Sequence, residues 1–208
     1  SPGNYQLQPG LFSGVQTQIG QYLAGAPANI GSTLFYLQGG ANNFFAGGAA
    51  IGAIVPDLAN EIGLLIAAGA QHIVLANVPN ITRTPFGQSL PAADQAALAQ
   101  GLSLVNGGIA QIWTQLAGIV IPLDAFGLIN AVLDDPATFG FNNTTGFCRG
   151  LASGCDGYVF FDDIHPTTAL HAIVGTRIAA ASGIPEPGVL VLLAIGAMGV
   201  AASRRRAL

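Results

Sequence analysis

Three short apolar runs, residues 33–37, 72–76 and 119–123, alternate with longer stretches of helical periodicity, and this alternation constrains the fold more than any other feature of the chain. Each run is too short for a stable helix and is apolar at consecutive positions, as a strand buried on both faces must be. The first is stopped by Gly39-Gly40. Around and between the runs, helical spacing appears at Leu11, Val15, Ile19, Tyr22 and Leu23, again over residues 50–68 with a start or interruption at Pro56, and over residues 91–116. Pro91 suits a first helical turn, and Gly107-Gly108 predicts a kink. Residues 127–133 read as a short helix, 134–157 as a long loop, 158–161 as a further strand-like run and 168–181 as the closing helix. Strands alternating with helices predict an α/β layered fold with a mainly parallel sheet, in which function gathers at the carboxyl ends of the strands. Three segments are expected there: residues 39–43, 77–84 and 162–165.

The chain has 208 residues, of which 51% are hydrophobic, enough for one domain with a sizeable core. Charge is scarce at 8%, lysine is absent, and three of the arginines are Arg204, Arg205 and Arg206. Up to Gly183 the chain carries nine acidic and three basic residues. It offers no basic surface for a phosphate backbone, so nucleic acid is excluded as an expected partner. The sequence opens on Ser1-Pro2-Gly3 with no charged and apolar leader, and the expectation is that upstream polypeptide is missing. Cys148 and Cys155 lie in a Gly- and Asn-rich segment without a histidine at metal-ligand spacing. They read as a local disulfide, which implies an oxidising compartment, or as two free thiols in a loop.

The end of the chain is of a different kind. Ile184-Pro185-Glu186-Pro187 is a helix-incompatible spacer, residues 188–202 are uncharged and mostly apolar, and the arginines close the segment. As a helix those apolar residues would reach only ~22 Å, short of the ~30 Å hydrocarbon core, which makes a marginal span. The positive-inside tendency puts the arginines in the cytoplasm and the body outside. The spacer, the short apolar segment and the arginine cluster resemble a PEP-CTERM sorting signal. That resemblance implies a Gram-negative exported protein, transiently anchored in the inner membrane by the C-terminal helix. An exosortase-type protease would process it for release to the cell surface or beyond. The division of the chain is therefore residues 1–183 as the functional domain and 184–208 as the sorting signal.

Chemistry concentrates in Asp162-Asp163-Ile164-His165. A carboxylate three positions before a histidine, between a strand and a helix, can hold one ring nitrogen and leave the other to take and return a proton. Gly40-Ala41-Asn42-Asn43 follows the first strand; its glycine permits close backbone approach, and Asn42 offers amide donors suited to an oxyanion. The plainer reading is a turn that caps the next helix. His72, His171 and Trp113 are assigned to packing or surface, and a metal site using Asp163 with His165 finds no third ligand at matching spacing.

Over residues 11–182 these segments together resemble the SGNH hydrolase superfamily, the GDSL esterase/lipases, in its bacterial branch. Gly40-Ala41-Asn42-Asn43 is similar to the family's Gly-x-Asn-Asp block, and Asp162 with His165 to its closing Asp-x-x-His block. Asn77-Val78-Pro79-Asn80, followed by Thr84-Pro85, resembles the loop after the second strand. The resemblance implies a three-layer α/β/α, flavodoxin-like sheet, incomplete at its N-terminus. It further implies a serine nucleophile, His165 as base and then acid, Asp162 as its orienter and Asn42 in the oxyanion hole. No metal or cofactor is required. The substrate would be an ester: a lipid, an acylated polysaccharide or a small ester. Asn43 stands where the family has aspartate. The Gly-Asp-Ser block that carries the nucleophile is not in this sequence; it should lie upstream of Leu11. The alternative is a noncatalytic surface or matrix protein on the same scaffold.

Overall fold

A computed structural model describes residues 14–183. Within them, three parallel strands form the central sheet in the order β1 (Leu34–Leu37), β2 (His72–Ala76), β3 (Val120–Leu123). Leu34 pairs with His72 and Ile73 with Val120. Parallel neighbours need long crossovers. Helix α3 (Gly48–Ala67) joins β1 to β2, and α5 (Ala92–Gln115) joins β2 to β3.

The alternation of β2 explains the layers. Ile73 and Leu75 point to one face, where they pack with Leu58 and Ile62 of α3, Ile109 of α5 and Ile19 of α1 (Val15–Ala24). Val74 and Ala76 point to the other, where Val174 and Ile178 of α7 (Thr168–Ala181) cover them. Helices on both faces make β2 apolar after His72, and residues 73–76 are fully buried. Helix α3 is long and apolar enough to cross a membrane by length and composition, but it lays Ile54, Leu58, Ile62 and Leu65 into this core. The expected apolar tail segment lies outside the described residues.

Two sequence expectations change, at Pro56 and in the loop 134–157. Pro56 neither starts nor breaks α3, which runs through it from Gly48. Helix α5 is continuous across Gly107-Gly108. The need for glycine there is a close approach, since a Cβ on Gly108 would stand 2.7 Å from Val55 Cγ2 of α3. The expected loop 134–157 contains a 3-10 turn, Pro136–Phe139, and a strand, β4 (Asn143–Phe147), which pairs in parallel with β5 (Tyr158–Phe160) as a second small sheet. Elements not expected include α2 (Asn43–Ala46) and α4 (Pro85–Ser89), while the short helix read at 127–133 is present as α6 (Ala125–Asp134).

Candidate active site

The strand β5 ends at Phe160, and a tight turn carries the chain into α7. The turn is closed by the Phe161 N–H donating to the His165 carbonyl at 2.8 Å. Inside it, Asp162 Oδ1 accepts from the backbone N–H of Ile164 at 3.0 Å and of His165 at 2.7 Å. Asp162 thereby organises its own turn, as aspartates do at such positions. Pro166 disfavours helical backbone at His165, and Thr167 caps α7, its Oγ1 accepting from Leu170 N–H.

This turn places His165 Nδ1 2.9 Å from each oxygen of Asp162. Burial pushes the Asp162 carboxyl upward, but the backbone N–H groups of His165 and Ile164 and the His165 ring outweigh it, so the carboxyl lies below its ordinary value. The carboxylate is mostly shielded at 18% side-chain exposure, while the imidazole stands out at 65%. With Nδ1 held, Nε2 is the ring nitrogen left for a reacting group. Asp163 takes no part in this pair; its carbonyl accepts from Phe86 N–H at 2.8 Å and ties the turn to α4.

Cys148 and Cys155 are joined in a disulfide with Cα atoms 5.0 Å apart. Next to it, Cys148 N–H donates to Phe160 O at 3.2 Å and Arg149 N–H to Phe161 O at 2.7 Å. The cross-linked loop thus grips the two residues that precede Asp162.

Gly40 is at φ 95°, and a Cβ there would stand 2.7 Å from Ile54 Cγ2, so only glycine fits this turn. Asn42 occupies the N-cap position of α2, yet its side chain makes no capping hydrogen bond. The plain capping reading therefore fails at this residue, whose side chain is exposed. Asn43 is buried instead, and its Nδ2 donates to Ala50 O at 2.9 Å across the start of α3. A carboxylate could not make that bond, which gives asparagine a physical reason here.

Asn42 and His165 line one cleft of about 750 Å³, which continues past Tyr36 and Gln38 between α1 and α3 on one side and α7 on the other. The loop after β2 forms part of its wall through Pro79 and Asn80. Sequence reading did not find what holds that loop. Asn106 of α5 brackets Val78, accepting from its N–H and donating to its carbonyl, both at 2.9 Å. Asn80 Nδ2 donates to Asn130 Oδ1 at 2.8 Å, and Asn77 joins Asp124 and Phe126 N–H at 2.8 Å each. The available signal was Asn106 itself, a polar residue set among Leu102, Val105 and Ile109 on the buried stripe of α5. His72 is exposed at the start of β2, His171 Nδ1–H donates to the carbonyl of Thr167, the N-cap of α7, at 3.1 Å, and Trp113 Nε1 donates to Leu75 O at 3.0 Å.

Glu61 of α3 was not singled out in the sequence. It is 2% exposed and lines the same cleft, with Oε1 lacking a hydrogen-bond partner among the described residues. Burial, and then the charge of Asp57, raise its carboxyl to about 7 against the backbone N–H of Gln16, which lowers it. The folded pKa lies above the ordinary 4.5, so the folded chain holds a proton that the unfolded chain has lost between those values. This contribution to stability is full below about pH 4.5 and declines as pH rises to about 7. In chemical denaturation of this chain at a series of pH values, Glu61→Gln is expected to remove that decline. A profile unchanged by the substitution contradicts the assignment.

Comparison with known proteins adds two findings. Residues 183–206 match the PEP-CTERM protein-sorting motif, so the chain carries that motif at its C-terminus. The chain is also 28% identical over 200 residues to the thermolabile hemolysin of Vibrio parahaemolyticus, covering 82% of this chain and 47% of that protein. It is 27% identical over 197 residues to an uncharacterized protein of the trpE-trpG intergenic region of Pseudomonas putida, covering 83% and 32% respectively. The chain thus spans half or less of the length of these curated relatives.

Proposed function

We propose that this chain is the acid–base and oxyanion portion of an exported serine ester hydrolase of the SGNH type. The observation that carries the reading is His165 Nδ1 held at 2.9 Å from both Asp162 oxygens, on the cleft that Asn42 also lines. The nucleophile is a serine contributed by polypeptide upstream of Ser1. Its Oγ attacks the ester carbonyl and gives its proton to His165 Nε2, while Asp162 stabilises the imidazolium. Negative charge on the carbonyl oxygen is met by Asn42 Nδ2 and neighbouring backbone N–H groups. His165 then protonates the leaving alcohol, and water, deprotonated by the same nitrogen, releases the acid and frees the serine.

The functional domain is residues 1–183, and residues 184–208 deliver it. The C-terminal segment anchors the exported protein in the inner membrane until an exosortase-type protease processes it near Pro185-Glu186-Pro187. A relative named a hemolysin supports a lipid ester as substrate ahead of an acylated polysaccharide. The complete polypeptide, translated from its own start codon, is expected to hydrolyse short-chain p-nitrophenyl esters, and the chain beginning at Ser1 to show no turnover above its His165→Ala version. His165-dependent turnover by the chain from Ser1 would place the nucleophile within it and overturn this division of labour. No turnover by the folded complete protein on any ester favours the noncatalytic scaffold.

A further inference from the structure

The turn that carries Asp162 and His165 is held from behind by the disulfide loop. A peptide unit is planar, so whatever fixes its oxygen also fixes its N–H. The unit joining Phe160 to Phe161 accepts at its oxygen from Cys148 N–H at 3.2 Å and donates through its N–H to the His165 carbonyl at 2.8 Å. One rigid plane therefore separates the backbone of Cys148 from that of His165. The next unit, whose nitrogen is that of Asp162, accepts from Arg149 N–H at 2.7 Å. Two consecutive donors, one on a cysteine of the bridge and one beside it, thus set where Asp162 and His165 stand.

The front of the same segment is held independently. Thr167 donates its N–H to Val159 O and its hydroxyl to Tyr158 O, both at 2.9 Å. Val159 and Phe160 are buried with Phe141 and with Leu170 of α7. None of these contacts needs the bridge, so β5 stays packed without it. The back support does need it. No residue of β4 is buried, and residues 149–154 are exposed throughout. The two cysteines lie only seven positions apart. A ring this short adds little to the stability of the whole chain, as disulfides go, but fixes its own few residues closely.

We propose that the Cys148–Cys155 bridge is a positioning element for Asp162 and His165 and the redox switch of the site they form. Closed, it holds the donors of Cys148 and Arg149 against the turn; open, it leaves a folded chain whose acid–base pair is misplaced. The inference rests on the hydrolase reading and adds its regulation. Before export both cysteines are thiols. In the oxidising compartment one thiolate attacks the disulfide of a dithiol–disulfide oxidant, and the second displaces the mixed disulfide. The two electrons and two protons of the cysteines leave on the oxidant as its dithiol. Cys155 is the point of entry, since Cys148 is 2% exposed while Cys155 is only half-buried. The enzyme is thereby held idle until export.

The test compares the complete protein, oxidised and after reduction with dithiothreitol, by hydrogen exchange read in a mass spectrometer and by steady-state ester hydrolysis. On reduction the amides of residues 161–165 are expected to exchange ~10-fold faster or more, while those of β2 are unchanged. At the same time kcat falls ~100-fold at nearly constant KM, the scale of a small misplacement of catalytic groups. Reoxidation restores both. The double variant Cys148→Ala/Cys155→Ala is expected to match the reduced protein and to ignore dithiothreitol, which assigns the effect to this bridge. The reduction arm stands even where that variant does not fold. Unchanged exchange and unchanged kcat on reduction overturn the proposal, and so does global unfolding, which makes the bridge a general staple. Failure of the hydrolase reading looks different: a turn that loosens on reduction in a protein without esterase activity in either state keeps the clamp and removes the reaction.

Discussion

His165→Ala in the complete protein is expected to lower kcat for a soluble ester by about a million-fold, the loss typical of a histidine that serves a serine nucleophile. In the proposed reaction the imidazole moves the proton in both half-reactions, so its loss is expected to be felt in each. Stability should hardly change. The side chain is 65% exposed, and the hydrogen bonds that close its turn are made by its backbone N–H and carbonyl, which alanine keeps. Thermal melting together with steady-state rates checks both halves of this expectation. A variant that melts with the wild type and retains more than about a hundredth of its rate removes His165 from the chemistry.

The second large effect belongs to Asp162→Asn, expected to cost about 10⁴-fold in kcat with KM little changed. Asp162 has two tasks, and this substitution separates them. The asparagine Oδ1 can still accept from the N–H groups of Ile164 and His165, so the turn is kept. What is lost is the negative charge beside Nδ1 and the preference for the tautomer that leaves Nε2 as base. Asp162→Ala removes the turn acceptor as well, and should lower the melting temperature where the asparagine does not. Equal losses of activity and stability for the two variants would make Asp162 a turn residue only.

How far the sequence could be read depended on whether a feature was local. β2 and α7 were legible because a buried parallel strand is apolar at each position and because Thr167 caps a regular helix immediately after Pro166. The Asp162–His165 pair was legible for the same reason, since three residues of one tight turn set its geometry. β4 was not, because Asn-Thr-Thr-Gly-Phe has no strand pattern of its own and is extended by pairing with β5 across a disulfide-closed loop. The close approach at Gly108 was not legible because its partner, Val55 of α3, is distant in sequence. Asn106 and Glu61 escaped for a related reason. A lone polar residue on a helix reads as solvent-facing until the packing shows Asn106 bonded to Val78 and Glu61 sealed into the cleft wall. Asn42 and Asn43 were found together, but only the structure separates the exposed amide from the buried one that fastens its loop to Ala50.

The central claim, that Asp162 and His165 serve a serine brought from upstream of Ser1, is tested most directly by treating the complete protein with a fluorophosphonate and locating the adduct by peptide mass spectrometry. The account predicts a single modified serine upstream of Ser1, with labelling suppressed in His165→Ala. A correctly folded protein that takes no label, or one labelled at a serine indifferent to His165, would contradict it.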